Sequence, residues 1–167
     1  ANSGGSIVLA ALAENWTLER ALTLFDNKDI RESIFSENTY RDSFFPVDYL
    51  RLFKLPFGPK YSSKQKKDSF EKLFKEVNKR QMSELPAFIK KESLKIVVCT
   101  YDALNNRAKF FKSYGVDSED YDSVRLTQAI HGSSNAPVQY FDFPARFKAK
   151  NSEIYYELWD GALGGFN

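Results

Sequence analysis

A chain of 167 residues with 43% hydrophobic and 28% charged residues is built for one globular domain with a real core, which excludes a disordered chain. A formal charge of +2 is too balanced to argue for nucleic acid, and no apolar run approaches the length of a membrane span. Cys99 has no second cysteine to pair with, and His131 is the single histidine that a Ser-His-Asp scheme would have to use.

The chain opens on Ala1-Asn2-Ser3-Gly4-Gly5-Ser6, a serine held among tiny residues, and runs directly into the apolar, helix-prone stretch Ile7 to Ala13. A strand that enters a sharp turn, a serine at its tip and a helix leaving it would read this way, as a nucleophile elbow. The turn demands backbone angles that a Cβ resists, and close passage of helix over strand calls for small neighbours, which Gly4 and Gly5 supply. Ala1 stands where G-x-S-x-G has its first glycine. Two plainer readings share these residues: a short apolar region ending in an A-x-A cleavage site, or an ordinary buried helix capped by Ser3 or Ser6.

Next, Asn15 or Thr17 can cap a helix from Thr17 to Phe25, with Leu18, Ala21, Leu22 and Phe25 forming its apolar face. The stretch from Ser43 to Pro59 mixes aromatics and prolines without a period, and reads as a loop on the core or a pocket wall. Lys60 to Lys67 reads as a solvated basic surface, with attraction to anionic headgroups as the lesser alternative. Behind it, Phe70, Leu73, Phe74 and Val77 mark the buried face of an amphipathic helix.

Leu94 to Thr100 is short, β-branched and apolar, as a strand inside a sheet would be, and its surroundings suggest a buried Cys99 thiol. Asn105-Asn106 makes a turn that tolerates left-handed angles, and Ala108 to Phe111 resumes as the second strand of a hairpin. Ser118 can cap a helix that runs to about His131 and ends at Gly132. Ser133-Ser134-Asn135-Ala136-Pro137 is a turn-forming run, and Glu153 to Trp159 is a third strand leading into Asp160-Gly161-Ala162. Three strands among at least four helices predict an α/β domain.

Three blocks, in order, resemble the patatin-like acyl hydrolases, also called patatin-like phospholipases. Ala1 to Gly5 resembles the family's G-x-S-x-G elbow. Ala129-Ile130-His131-Gly132-Ser133-Ser134-Asn135-Ala136-Pro137-Val138-Gln139-Tyr140-Phe141 resembles its A-x-x-x-S-x-x-A-P-x-x-F segment. Asp160-Gly161-Ala162 resembles its D-G-[AG] motif, and the Ile96 to Phe111 hairpin fits the strand pair between those blocks. The resemblance implies a three-layer fold with a central, mostly parallel sheet flanked by helices. It also implies one catalytic domain over residues 1–167, incomplete at both ends and lacking the glycine-rich oxyanion loop expected before residue 1.

It further implies a serine-aspartate dyad: Ser3 as nucleophile, Asp160 as base, and the Gly4 N–H as one oxyanion donor. Gly5, Gly161, Ser133 and Pro137 would support the site, and no metal or organic cofactor is called for. A serine hydroxyl needs a base as it attacks, and desolvation beside Trp159 would strengthen the carboxylate for that task. His131, with Asp122 or Asp142 to orient it, is the rival base. Its place at a helix end reads instead as structural, with Ser133, Ser134 and Asn135 bracing the site and Asp102 a turn residue.

The implied substrate is a phospholipid or another acyl lipid, met through peripheral membrane contact. Nucleic acid is not an implied partner; the sequence does not fix a cellular address, and the resemblance implies a cytoplasmic or membrane-peripheral one. The rivals are a catalytically decayed lipid- or protein-binding module, and an acyltransferase using the same acyl-Ser3.

Overall fold

The computed structural model describes residues 1–38, 59–115, 123–137 and 140–165. Most of the Ser43 to Pro59 stretch, Ser118, Asp122, Val138 and Gln139 therefore lie outside the described residues. In chain order the elements are α1 (Ser3–Ala13), α2 (Leu18–Asp26), α3 (Lys28–Ile34), α4 (Ser63–Leu73), α5 (Leu85–Phe88), β1 (Val97–Asp102), β2 (Arg107–Lys112), α6 (Leu126–Ser133), β3 (Ala145–Lys148) and β4 (Tyr155–Asp160). Short 3-10 turns follow α4 and β4, the latter over Gly161–Gly164.

The expected mostly parallel sheet is not what forms. The four strands lie in the order β2-β1-β4-β3, and every neighbouring pair is antiparallel. The physical reason lies in the connections. β1 reaches β2 through residues 103–106, and β3 reaches β4 through residues 149–154. Links this short reverse the chain, whereas a parallel crossover needs a dozen or more residues. Asn106 and Asn151 take positive φ in those two links, where asparagine tolerates the left-handed region. The result is an antiparallel sheet with helices packed on it, in place of a three-layer parallel core.

Alternation along the strands sets the core face. Val98, Thr100 and Asp102 of β1, Ala145 and Phe147 of β3, and Tyr156, Leu158 and Asp160 of β4 are buried. Helix α6 lies against β1, β3 and β4 and also touches α1 and α4, so it is the hub of the packing. Its Gly132 is inside the last turn, not beyond the helix end. An added Cβ there would stand 2.8 Å from Leu158 Cβ, so α6 and β4 meet at a distance that a side chain forbids.

Two sequence expectations about faces also change. On α2, capped by Thr17 Oγ1 accepting from Arg20 N at 3.2 Å, the buried residues are Ala21 and Leu24, while Leu18, Leu22 and Phe25 are exposed. Of the i, i+3, i+4, i+7 pattern only Ala21 is on the docked stripe, which is completed by Leu24. On α4 the helix begins at Ser63, with Ser62 Oγ accepting from Gln65 N at 3.3 Å, so several lysines sit on the helix itself. Phe70, Phe74 and Val77 are buried, Leu73 only partly, and the helix ends at Leu73, which leaves Val77 in the 3-10 turn beyond it. Lys66 is buried too and has no exposed surface at all. Cys99 is half-buried.

Candidate active site

The two chain ends meet on β1. Ala1 N donates to Val97 O, and Cys99 N donates to Ala1 O at 2.9 Å, so Ala1 runs beside the start of β1. β4 takes the same edge further along, with Asp160 paired to Thr100. Gly161 lies directly under Asn2: a Cβ added there would collide with Asn2 Oδ1 and come within 2.7 Å of Cys99 O. The chain at Ser3 and the chain at Asp160 are therefore held one beside the other.

Asn2 is extended, at φ −139 and ψ 150, and Ser3 turns to φ 48 as it opens α1. A left-handed angle at a residue with a Cβ costs about 1–2 kcal/mol, so the surroundings must hold it. They do so from two sides. Ser3 N donates to Ser133 Oγ at 3.1 Å, and Ser6 Oγ donates to Ser3 O at 2.6 Å. Gly4 N–H lies in the first turn of α1, where the helix offers no acceptor and the dipole favours negative charge.

Gly4 and Gly5 are not placed where a side chain would clash. An added Cβ at either meets no described atom within 4 Å, so the expected close approach of helix to strand is absent there and present at Gly161.

Asp160 ends β4 with 4% of its surface exposed. Its N–H donates to Asn135 O at 3.1 Å, and its Oδ1 accepts from Ala162 N at 3.0 Å, capping the turn that follows. Among the described residues no hydrogen bond joins the Ser3 hydroxyl to the Asp160 carboxylate. Catalytic hydrogen bonds are often long before substrate arrives, so adjacency of the two segments is the relevant geometry. Pro137 sits in the bend bridged by Phe141 N donating to Ala136 O at 3.0 Å, and it makes no bond to Ser3 or Asp160.

The end of α6 and the two residues after it hold the site residue by residue. Ser133 holds Ser3 and Asn135 O holds Asp160, as above. Asn135 Nδ2 donates to Phe143 O at 2.7 Å, and Ser63 Oγ donates to Asn135 Oδ1 at 3.3 Å. Ser134 Oγ donates to Ile130 O at 2.7 Å.

Among the described residues no hydrogen bond joins His131 to Ser3. Its Nε2 lies 3.4 Å from Ser63 Oγ, and its Nδ1 has no hydrogen-bond partner among the described residues, so no carboxylate orients it. Asp142 is occupied elsewhere, its Oδ1 accepting from Ser63 N at 2.8 Å and its Oδ2 from Asn38 Nδ2 at 3.1 Å. Burial first, then the nearby Lys66 and Lys67 charges, push the His131 pKa well below its ordinary value of 6.5. The folded protein thus keeps this ring neutral while the unfolded chain takes up a proton below pH 6.5. Stability on this account is full above that pH and declines as pH falls through it. Urea unfolding between pH 7 and pH 5 should show that decline. His131→Gln should make the slope shallower by up to about 1.4 kcal/mol per pH unit, and an unchanged slope would show that the ring is not held neutral.

Asp102 is a turn residue: its Oδ1 accepts from Leu104 N at 3.1 Å and from Asn105 N at 3.3 Å, and its Oδ2 from Asn105 Nδ2 at 2.7 Å. A cleft of about 740 Å³ opens beside the Phe35, Tyr61 and Phe141 rings, lined by Arg31, Phe35, Tyr61 and Tyr140. Neither Ser3 nor Asp160 lines it. Among the described residues no group of three or more His, Cys, Asp or Glu is arranged to hold a metal ion, and no helix is long and apolar enough to cross a membrane. No family model matches this chain, and no curated protein matches it.

Lys66 is the site neighbour that sequence reasoning missed. Its Nζ donates to His131 O at 3.2 Å and to Ser134 Oγ at 3.3 Å, and stands 3.9 Å from the centroid of the Phe141 ring. A lysine within a run of lysines offers no signal in sequence that one of them points inward.

Proposed function

We propose that this protein is a patatin-like serine hydrolase that cleaves carboxylic esters of phospholipids or other acyl lipids through Ser3 and Asp160. The observation that supports this reading best is the meeting of the two ends on β1, with a serine at φ 48 opening a helix beside a buried aspartate. Small, strained serine turns of this kind expose a hydroxyl at the mouth of a helix N-terminus.

In the reaction, Ser3 Oγ attacks the ester carbonyl while its proton passes to Asp160. The oxyanion is met by the Gly4 N–H and by the positive end of the α1 dipole. The tetrahedral species collapses, the alcohol leaves with the proton from Asp160, and an acyl ester remains on Ser3. Water then gives its proton to Asp160 as it attacks, and Asp160 passes that proton to Ser3 Oγ as the acyl–oxygen bond breaks, which releases the fatty acid and restores both residues.

A second reading, a lipid- or protein-binding module without turnover, is favoured by the missing Ser3–Asp160 hydrogen bond. Treating the full chain with a fluorophosphonate probe and mapping the labelled peptide separates the two. Ser3 is expected to carry the adduct, together with hydrolysis of short acyl esters and of phospholipid vesicles. An intact protein with unlabelled Ser3 would sink the hydrolase reading. Transfer of the acyl group to an added alcohol in preference to water would redirect it to acyltransfer.

A further inference from the structure

A fully buried ammonium is an unusual thing to place beside a site, and Lys66 is one. Among the described residues no carboxylate lies within ion-pair distance of it. Its hydrogen bonds go instead to the last turn of α6, where His131 O belongs to the negative end of the helix dipole. Phe141 and Phe70 present their rings at 3.9 and 5.9 Å, the first close enough for a cation–π contact. A methionine would fill the same space without taking a charge out of water, so the charge itself calls for a reason.

That reason is visible in what the last turn of α6 does. Ser133 holds the backbone of Ser3, and two residues later Asn135 holds the backbone of Asp160. Lys66 bridges His131, two residues before Ser133, and Ser134, the residue after it. We propose that Lys66 is a positioning residue for the Ser3–Asp160 pair: through His131 O and Ser134 Oγ its side chain pins the corner that fixes both. This rests on the hydrolase reading for its catalytic meaning; a coupling between the Lys66 and Asp160 charges is testable without it.

Among the described residues the groups facing Lys66 are few. From α6 come the neutral His131 and the Ser134 hydroxyl; from β4 comes Asp160; Phe141 precedes the strand β3; and Ser63, Lys67 and Phe70 share its own helix, with Asp142 bonded to Ser63 N at that helix's start. Burial holds the Lys66 pKa well below the ordinary lysine value of 10.5, and the Asp160 charge opposes that fall.

The experiment has two arms on the full chain. In the first, the protein is labelled with ¹³C at lysine Cε, and the Lys66 signal, assigned with Lys66→Met, is titrated in wild type and in Asp160→Asn. Removing the aspartate charge should move the midpoint down, and an unmoved midpoint overturns the coupling whether or not the protein hydrolyses anything. In the second arm, Lys66→Met should lower kcat about 10- to 100-fold with KM within about twofold, the size of loss that follows a small displacement of reacting groups. Its melting temperature should equal or exceed that of wild type, because a buried charge has been removed. Wild-type turnover should also decline with rising pH below the usual lysine range, and that limb should vanish in Lys66→Met. Ser3-dependent hydrolysis that survives Lys66→Met with its pH profile intact would overturn the positioning role and leave the hydrolase reading standing. Absence of any Ser3-dependent hydrolysis, with the midpoint shifted, would do the reverse.

Discussion

Ester hydrolysis by the full chain is expected to fall at least about 10³-fold in Ser3→Ala and in Asp160→Asn, with the double variant no worse than either single one. The two side chains perform one proton transfer together, so once either is gone the other has nothing left to do. Asp160→Asn keeps the shape, and its amide oxygen can still accept from Ala162 N, so the capped turn over Gly161–Gly164 should survive. Loss of activity in a folded protein then reports the missing base. His131→Ala is expected to retain activity within a few-fold, because the ring faces Ser63 and lacks a partner on Nδ1. Initial rates on a short acyl ester, with circular dichroism to check folding, decide the matter. A dead His131→Ala variant beside an active Asp160→Asn would replace the dyad with histidine chemistry.

How much of this was legible beforehand varies with the kind of information involved. The hairpin of β1 and β2 was, because Asn105-Asn106 between two apolar runs is a local signal and Asn106 does take a left-handed angle. The direction of the remaining strands was not. A strand's composition says that it is buried and nothing about which way its neighbour runs; β3, at Ala145–Lys148, alternates too briefly to stand out. The sharp turn at Ser3 could be anticipated from small residues in series, yet the tight glycine proved to be Gly161 and not Gly4 or Gly5. Close approach between segments 160 residues apart leaves no trace in local spacing.

Charge was the least legible property. Lys60 to Lys67 reads as a solvated face because a run with four lysines usually is one, and the helical position of Lys66 turns it inward toward α6. The same limit applies to α2, where Leu18, Ala21, Leu22 and Phe25 satisfy the helical pattern but only Ala21 of them is buried, together with Leu24. Periodicity names a stripe; packing against α1 and α3 chooses which stripe is used.

Gly161→Ala tests the joint on which the whole site depends. Its Cβ would lie 2.7 Å from Cys99 O and 2.9 Å from Cys99 C, and would also run into Asn2 Oδ1. The Cys99 carbonyl belongs to a strand paired on both sides, so it has no freedom to retreat, and the strain must fall on the chain at Asn2 or at Asp160. Overpacking of this kind costs about 1–3 kcal/mol. For a chain of this size that lowers the melting temperature by roughly 2–4 °C per kcal/mol. Activity should suffer more than stability, by about 100-fold, because the displaced segments are the ones that carry the serine and the acid. Gly5→Ala is the matched control: its Cβ enters open space on α1, where replacing glycine gains up to about 1 kcal/mol of helix stability. Thermal melts and ester rates on the two variants should therefore separate cleanly. Equal tolerance at both positions would mean that Asn2 and Gly161 are not in contact, and Ser3 and Asp160 would then have no shared site.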